Sequence, residues 1–175
     1  MAPISMPPRL VPEYDESRWV LKALRETAHE LEAQLYGLRE KDLRWRPTDD
    51  ALSLKEIAAH LRDGEEHFLE CLELIALQRS ETIPCFDADA LLFERDYRNC
   101  NVHEAAERFE YLRYRSVSIL WGLDEEDWSL SARHPYLGAV TVLQLARERS
   151  QHDLEHLWAA RRLHDQLVDR APARR

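Results

Sequence analysis

Three capping boxes divide this chain into long amphipathic helices. Residues 53–56 (Ser-Leu-Lys-Glu), 101–104 (Asn-Val-His-Glu) and 141–144 (Thr-Val-Leu-Gln) each place a short polar side chain three positions before a Glu or Gln. This pattern satisfies the free N–H groups of a first helical turn. Apolar residues then recur every three or four positions, as they also do from Asp15 onward. The pattern predicts four long helices, over about 15–38, 53–78, 102–122 and 141–167, and a short one over 88–98.

Composition favours a single all-α domain. Only four glycines occur in 175 residues, and helix formers dominate, so turns are few. The length matches one domain with a sizeable core. We expect a flexible N-terminal tail over residues 1–14, a four-helix bundle over 15–168 and a frayed C-terminal tail over 169–175. Nearly twenty residues join the last two helices, and residues 134–138 (His-Pro-Tyr-Leu-Gly) predict a turn there that could hold a short hairpin.

Charge and cysteine content argue against several classes of protein. The formal net charge is −9, whereas a nucleic-acid-binding face needs a basic excess. We also find no apolar run long enough for a membrane span, and residues 1–12 lack the apolar core of a signal peptide. Cys71, Cys85 and Cys100 have no CxxC spacing. We therefore expect reduced thiols in a cytoplasmic protein.

Three histidines on two predicted helices are the candidate metal ligands. His152 and His156 lie one turn apart, so their imidazoles share one side of the last helix. His60 lies on the second helix, seven residues after the cap at Ser53. A weak repeat relates that segment to the one that follows the cap at Thr141, which predicts two helical hairpins with pseudo-twofold character. Three imidazoles leave a metal ion open to water or substrate. The other interpretation is that these are ordinary core and rim histidines.

Charged residues near the predicted site have two interpretations each. Glu148, one turn before the histidine pair, is either a fourth ligand or general base, or a solvated carboxylate. Asp153 either orients an imidazole as a hydrogen-bond acceptor or pairs with Arg149. Arg113 and Arg115 either line a cleft for an anionic substrate or lie on a solvated face.

The order of these motifs resembles the DinB-like superfamily, which includes the DinB/YfiT-type candidate metal-dependent hydrolases. The matching segments are 43–47 (Leu-Arg-Trp-Arg-Pro) leading into 53–61, and 138–145 leading into 152–156. The resemblance covers roughly residues 17 to 166. It implies a four-helix bundle of DinB/YfiT type in which His60, His152 and His156 bind a divalent metal ion, often zinc or nickel.

The resemblance also implies a homodimer and, in some relatives, a low-molecular-weight thiol cosubstrate such as mycothiol, bacillithiol or glutathione. A metal- and thiol-dependent S-transferase, or a hydrolase acting on a small molecule, is the first hypothesis. A non-catalytic, metal-stabilised dimeric module that binds a ligand or partner under stress is the second. A metal-free helical dimer is the third. Residues 157–160 (Leu-Trp-Ala-Ala) depart from the small, Gly-containing segment of many relatives, which affects the expected substrate shape and dimer contact.

Overall fold

Four long helices build the bundle in the computed structural model, which describes residues 13–170. The long helices are α1 (Glu13–Leu35), α3 (Leu54–Ala76), α5 (Val102–Trp121) and α6 (Val142–Arg170). Two short helices, α2 (Glu40–Leu43) and α4 (Ala88–Glu94), lie in the connections. The predicted all-α four-helix bundle is thereby confirmed. Within the described part of the chain, no helix has the length and apolarity that a membrane crossing requires.

The predicted caps form at the starts of three long helices. The Ser53 side chain accepts a hydrogen bond from the N–H of Glu56, whose carboxylate accepts from the Ser53 N–H. Asn101 accepts from the backbone N–H groups at positions 103 and 104. Thr141 Oγ1 accepts a hydrogen bond from the N–H of Gln144, whose side-chain oxygen accepts one from the N–H of Thr141. These side chains replace the missing partners of the first turn and fix where each helix begins.

Helix ends differ from the sequence prediction by a few residues. Helix α1 ends at Leu35 rather than 38, since Gly37 adopts a positive φ of 73° that ends a helix. The helix predicted over 88–98 ends at Glu94, and a 3-10 turn over Tyr97–Asn99 follows. Helix α1 begins inside the last two residues of the predicted N-terminal tail, and α6 extends to Arg170. The remainder of both tails lies outside the described residues.

The long helices are ordered α1, α5, α3, α6 around the bundle. The N-terminal halves of α1 and α6 share one apolar cluster with the C-terminal ends of α3 and α5. The opposite halves share a second cluster. Helices α1 and α6 are therefore parallel to each other and antiparallel to α3 and α5. The connections α1 to α3 and α5 to α6 cross the ends of the bundle diagonally, which explains their length.

A short hairpin covers one end of the bundle. Strands β1 (Ser131–His134) and β2 (Gly138–Thr141) pair antiparallel, and Gly138 in the turn has a positive φ of 78°. Ala132 and Val140 are buried in the first apolar cluster. The long connection before α6 thus contains the hairpin that its turn sequence suggested.

Buried charged and polar side chains separate the two apolar clusters at mid-height. We call this set the central ion network. All four long helices contribute to it, and its members are Thr27, Glu65, Arg113, Ser116, Arg149 and Asp153.

Candidate metal centre

The imidazoles of His60, His152 and His156 meet between α3 and α6. One ring nitrogen from each lies within 4.8 Å of the others. The Nε2 atoms of His60 and His152 are 2.9 Å apart, and the His156 ring centroid is 4.4 Å from each of the other two. Over residues 13–170, this is the one group of three or more His, Cys, Asp or Glu side chains arranged to hold an ion. The structure brings together the three histidines singled out from the sequence.

Antiparallel packing of two helices creates this juxtaposition. His60 lies on the face of α3 that packs against α6 and is 8% exposed. His152 and His156 face it from α6 and are half-buried. Their spacing of one turn puts both rings on the same side of the helix. The site therefore has a buried wall on α3 and a side open to solvent on α6.

The site favours neutral imidazoles. Burial, reinforced by the neighbouring histidines and the Arg149 cation, lowers the pKa of His60 to about 3. Burial together with His152 and Arg149 lowers the pKa of His156 to about 4. At neutral pH both rings therefore keep a nitrogen lone pair free to bind a metal ion.

This donor set fits a divalent transition metal. Neutral imidazoles suit zinc, nickel, copper and iron, and three of them leave coordination positions for other ligands. In a tetrahedral zinc site, neighbouring ligand nitrogens lie about 3.3 Å apart. The separation of 2.9 Å between the Nε2 atoms of His60 and His152 is close to that value.

The contact with Arg149 determines which ring nitrogen of His152 carries the proton. Its Nη2 lies 2.9 Å from Nδ1 of His152, and because a guanidinium can only donate, Nδ1 must accept. The proton of the neutral ring is then on Nε2, which donates to Nε2 of His60. A metal ion on Nε2 would require the proton to sit on Nδ1 instead. The carboxylate of Asp153 lies 3.8 Å from Nδ1 and would be an acceptor for that proton.

The central ion network anchors Asp153 beneath the histidines. Arg149 donates to Asp153 through Nε at 2.7 Å and also through Nη2. Arg113 donates through Nη2 to Asp153 and to Glu65, both at 2.6 Å. Burial alone would raise the pKa of Asp153, but the two guanidinium groups lower it well below its ordinary value. Asp153 therefore pairs with Arg149, as one interpretation expected, and remains a carboxylate at any ordinary pH.

Arg113 is a structural residue rather than part of a cleft or a solvated face. It is 2% exposed and also donates to the carbonyl of Leu24 at 2.8 Å and to Thr27 Oγ1 at 2.5 Å. Both sequence interpretations of Arg113 were wrong because periodicity does not reveal a buried ion pair. Arg115 is exposed and pairs with Glu73 at 2.6 Å, which fits a solvated face.

Gly64 makes room for Arg149. A Cβ atom at Gly64 would collide with the Arg149 guanidinium, which lies directly against the α3 backbone. A glycine inside a helix costs about 1 kcal/mol relative to alanine. Here that cost permits the close approach of the arginine that contacts both His152 and Asp153. This role could not be predicted from the sequence, since one glycine in a helical segment is compatible with several explanations.

Glu148 lies apart from the three histidines. It is exposed on α6 and is not among the residues whose ligand atoms converge. Its exposure matches the interpretation as a solvated carboxylate.

A match to a family model identifies the family of the chain. The model of the DinB superfamily matches residues 23–160, a stretch that contains all three histidines. The chain belongs to the DinB superfamily. This family assignment, and with it the resemblance drawn from the capping boxes and histidines, is confirmed.

Three known proteins resemble this chain over most of its length. A candidate metal-dependent hydrolase of Oceanobacillus iheyensis is 23% identical over 150 residues, which cover 86% of each chain. YfiT from Bacillus subtilis, described as a probable metal-dependent hydrolase with an unusual four-helix bundle topology, has a TM-score of 0.80 at 15% identity and 94% coverage of both chains. A mycothiol-dependent maleylpyruvate isomerase has a TM-score of 0.67 at 14% identity, with 86% of this chain and 61% of that chain covered. The two structural likenesses establish a shared fold.

Proposed function

We propose that this DinB-superfamily protein binds one divalent metal ion, zinc or nickel, through His60, His152 and His156, and acts on a small molecule at that ion. The observation that carries the proposal is the convergence of the three ring nitrogens within 4.8 Å. The names of the relatives from Oceanobacillus iheyensis and Bacillus subtilis, both of which describe metal-dependent hydrolases, support it.

The side chains around the ion have different roles. His60, on the buried wall, and the His152–His156 pair hold the ion, which would supply an electrophilic centre with positions open to substrate and nucleophile. With the ion on Nε2 of His152, Asp153, whose carboxylate lies 3.8 Å from Nδ1, would accept the Nδ1 proton and fix the orientation of that ring. Arg113 keeps Asp153 ionised and in place.

Two reaction classes follow from an open metal site. A bound thiol cosubstrate would lead to S-transfer or isomerisation, for which the fold shared with a mycothiol-dependent isomerase is the supporting observation. A bound water would lead to hydrolysis, which matches the names of the other two relatives. A thiol requirement separates these classes: S-transfer needs an added low-molecular-weight thiol, whereas hydrolysis proceeds without one.

Elemental analysis of protein purified without a histidine tag tests the metal site. We expect about one equivalent of zinc or nickel in the native protein and none in the His156→Ala variant. The matched control is His103→Ala, since His103 is an exposed histidine at the start of α5. Full metal occupancy in His156→Ala, or no metal in any of the three proteins, would refute the proposed site.

The alternative, a metal-stabilised dimeric binding module, has one supporting observation. On α6 the apolar side chains of Leu154 and Trp158 are 45% and 64% exposed, and they border a groove against α1. We propose that this groove is where two copies of the chain meet, whether or not the protein is an enzyme. Sedimentation of Trp158→Glu should then show a monomer where the native protein is a dimer. If Trp158→Glu and the native protein have the same sedimentation coefficient, the two copies do not meet at this groove.

A further inference from the structure

An apolar cavity begins where the histidine cluster ends. It has a volume of about 300 Å³ and includes the side chain of His156 in its wall. Ile57 and Ala159 lie one turn from the histidines at positions 60 and 156 and form the adjoining wall. Beyond them the cavity is lined by the apolar residues Pro47, Ala51, Leu52 and Leu163 and by two polar ones, Arg162 and Gln166. This volume and this mainly apolar lining are typical of small-molecule sites.

The cavity runs along one face of helix α6. His156, Ala159, Leu163 and Gln166 follow one another at intervals of three and four residues, so they lie along one face. Ten residues separate the first from the last, which corresponds to about 15 Å along the helix axis. A ligand in this cavity would therefore extend from the histidines toward the C-terminal end of α6.

The opposite wall is held in place before any ligand arrives. Arg46 donates to the buried carboxylate of Glu56 through Nε at 2.8 Å and through Nη2, and its Nη1 donates to the carbonyl of Asp49 at 3.0 Å. These bonds fasten residues 46–52 to the N-terminal cap of α3. A wall that is already fixed reduces the entropy lost on binding.

Arg162 is the one cation in the lining. Within residues 13–170 no carboxylate pairs with it, in contrast to the engaged arginines at positions 46, 113 and 149. The chain has a net charge of −9, so an anion would bind only where a local cation offsets the overall repulsion. The exposed guanidinium of Arg162, in the lining of the cavity, provides that cation.

We propose that this cavity binds the substrate, and that the substrate has an apolar body with a carboxylate that pairs with Arg162. This inference rests on the proposed function, because the end of the cavity at His156 would present the reacting group to the metal ion. It adds the chemical class of the substrate and a residue that selects it.

Calorimetric titration with two probes tests this assignment. The probes are 4-phenylbutyrate and 4-phenylbutan-1-ol, which share an apolar body and differ in the carboxylate. The native protein should bind the carboxylate more tightly than the alcohol. Arg162→Gln should weaken binding of the carboxylate about fivefold and leave binding of the alcohol unchanged. Ala159→Trp, which fills the cavity, should abolish binding of both.

Arg25→Gln is the matched control. Arg25 is an exposed arginine on α1 that does not line this cavity. This variant should bind both probes as the native protein does. Equal affinities for the two probes in the native protein, or carboxylate binding that is lost in Arg25→Gln and kept in Arg162→Gln, would overturn the proposal.

Titrations of zinc-loaded and chelator-treated protein keep this proposal separate from the metal site. The cavity should bind 4-phenylbutyrate in both forms, with the same dependence on Arg162. A protein that binds no metal but retains this pattern would refute the proposed function and support the cavity. If binding of the carboxylate is lost on removal of the metal and is unaffected by Arg162→Gln, the carboxylate binds the ion. That result would overturn the assignment of Arg162.

Discussion

The Nε2 atoms of His60 and His152 lie 2.9 Å apart, although the two residues are 92 positions apart in the chain. The antiparallel packing of α3 and α6 produces this contact, and Arg149 determines its chemistry. Because Arg149 donates to Nδ1 of His152, the Nε2–H of His152 faces the lone pair of His60. The two ring nitrogens thus face each other at hydrogen-bonding distance in the candidate metal site.

Metal binding should switch the tautomer of His152. Without metal, Arg149 holds the proton on Nε2; with zinc on Nε2, the proton must be on Nδ1 and face Asp153. NMR spectra of ¹⁵N-histidine-labelled protein distinguish the two tautomers directly. We expect Nε2–H for His152 after chelation and Nδ1–H after one equivalent of zinc. The exposed His103 should keep its signals throughout, and an unchanged His152 tautomer on zinc addition would contradict the assignment.

Removal of Arg113 should destabilise the bundle severely. Arg113→Ala leaves the buried carboxylates of Glu65 and Asp153 without their shared cation. Within residues 13–170, Arg149 is then the one cation beside these two carboxylates, so one buried negative charge is left unbalanced. Removing one partner from a buried ion pair typically costs about 3–5 kcal/mol. The matched control, Arg115→Ala, removes an exposed ion pair with Glu73 and should cost less than about 1 kcal/mol. Urea denaturation measures both free energies of unfolding, and similar losses in the two variants would show that the central ion network contributes little.

The sequence predicts the helices and the three clustered histidines better than it predicts the residues around them. The caps at Ser53, Asn101 and Thr141 are local signals, so three helix starts follow from a few adjacent residues. The histidines were identified by spacing and family resemblance. The pairing of Arg113 with Glu65 and Asp153 spans 48 and 40 positions, and periodicity contains no information about such distant partners.

The order of the helices is another property that local patterns do not contain. The pseudo-twofold repeat related α3 to α6, the helices that carry the candidate site, but it did not show that they are direct neighbours. That adjacency depends on the two connections that cross the bundle diagonally. The role of Gly64 could not be predicted from local patterns either, because it depends on the contact with Arg149.

Metal binding should tolerate mild acid. Protons and metal ions compete for the same lone pairs, and the pKa values of His60 and His156 are lowered to about 3 and about 4. These two rings therefore stay neutral between pH 7 and pH 5, whereas an ordinary histidine with a pKa of about 6.5 becomes mostly protonated there. Equilibrium dialysis against zinc at pH 7, 6 and 5 should show only a modest loss of affinity from these ligands. A loss approaching a hundredfold for each pH unit below 6.5 would mean that both rings titrate normally.

Stability of the metal-free protein should fall in acid, in part because of His67. Burial, with His134 and Arg149 adding to it, lowers the pKa of His67 to about 4 in the folded state, where its ring stacks on Phe86 at a centroid distance of 5.1 Å. Between pH 6.5 and pH 4 the unfolded chain therefore binds a proton at this residue that the folded chain does not. Folding stability is lost as the pH falls through this window, by at most about 1.4 kcal/mol per pH unit for the one group.

The His67→Gln variant isolates this contribution. Urea unfolding at pH 7, 6 and 5, in the presence of a chelator, should show a shallower decline in the free energy of unfolding than in the native protein. His103→Gln, at an exposed position on α5, should decline as the native protein does. If His67→Gln and the native protein lose stability in parallel across this range, His67 takes up its proton equally in the folded and unfolded states, and its burial against Phe86 has no effect on its titration.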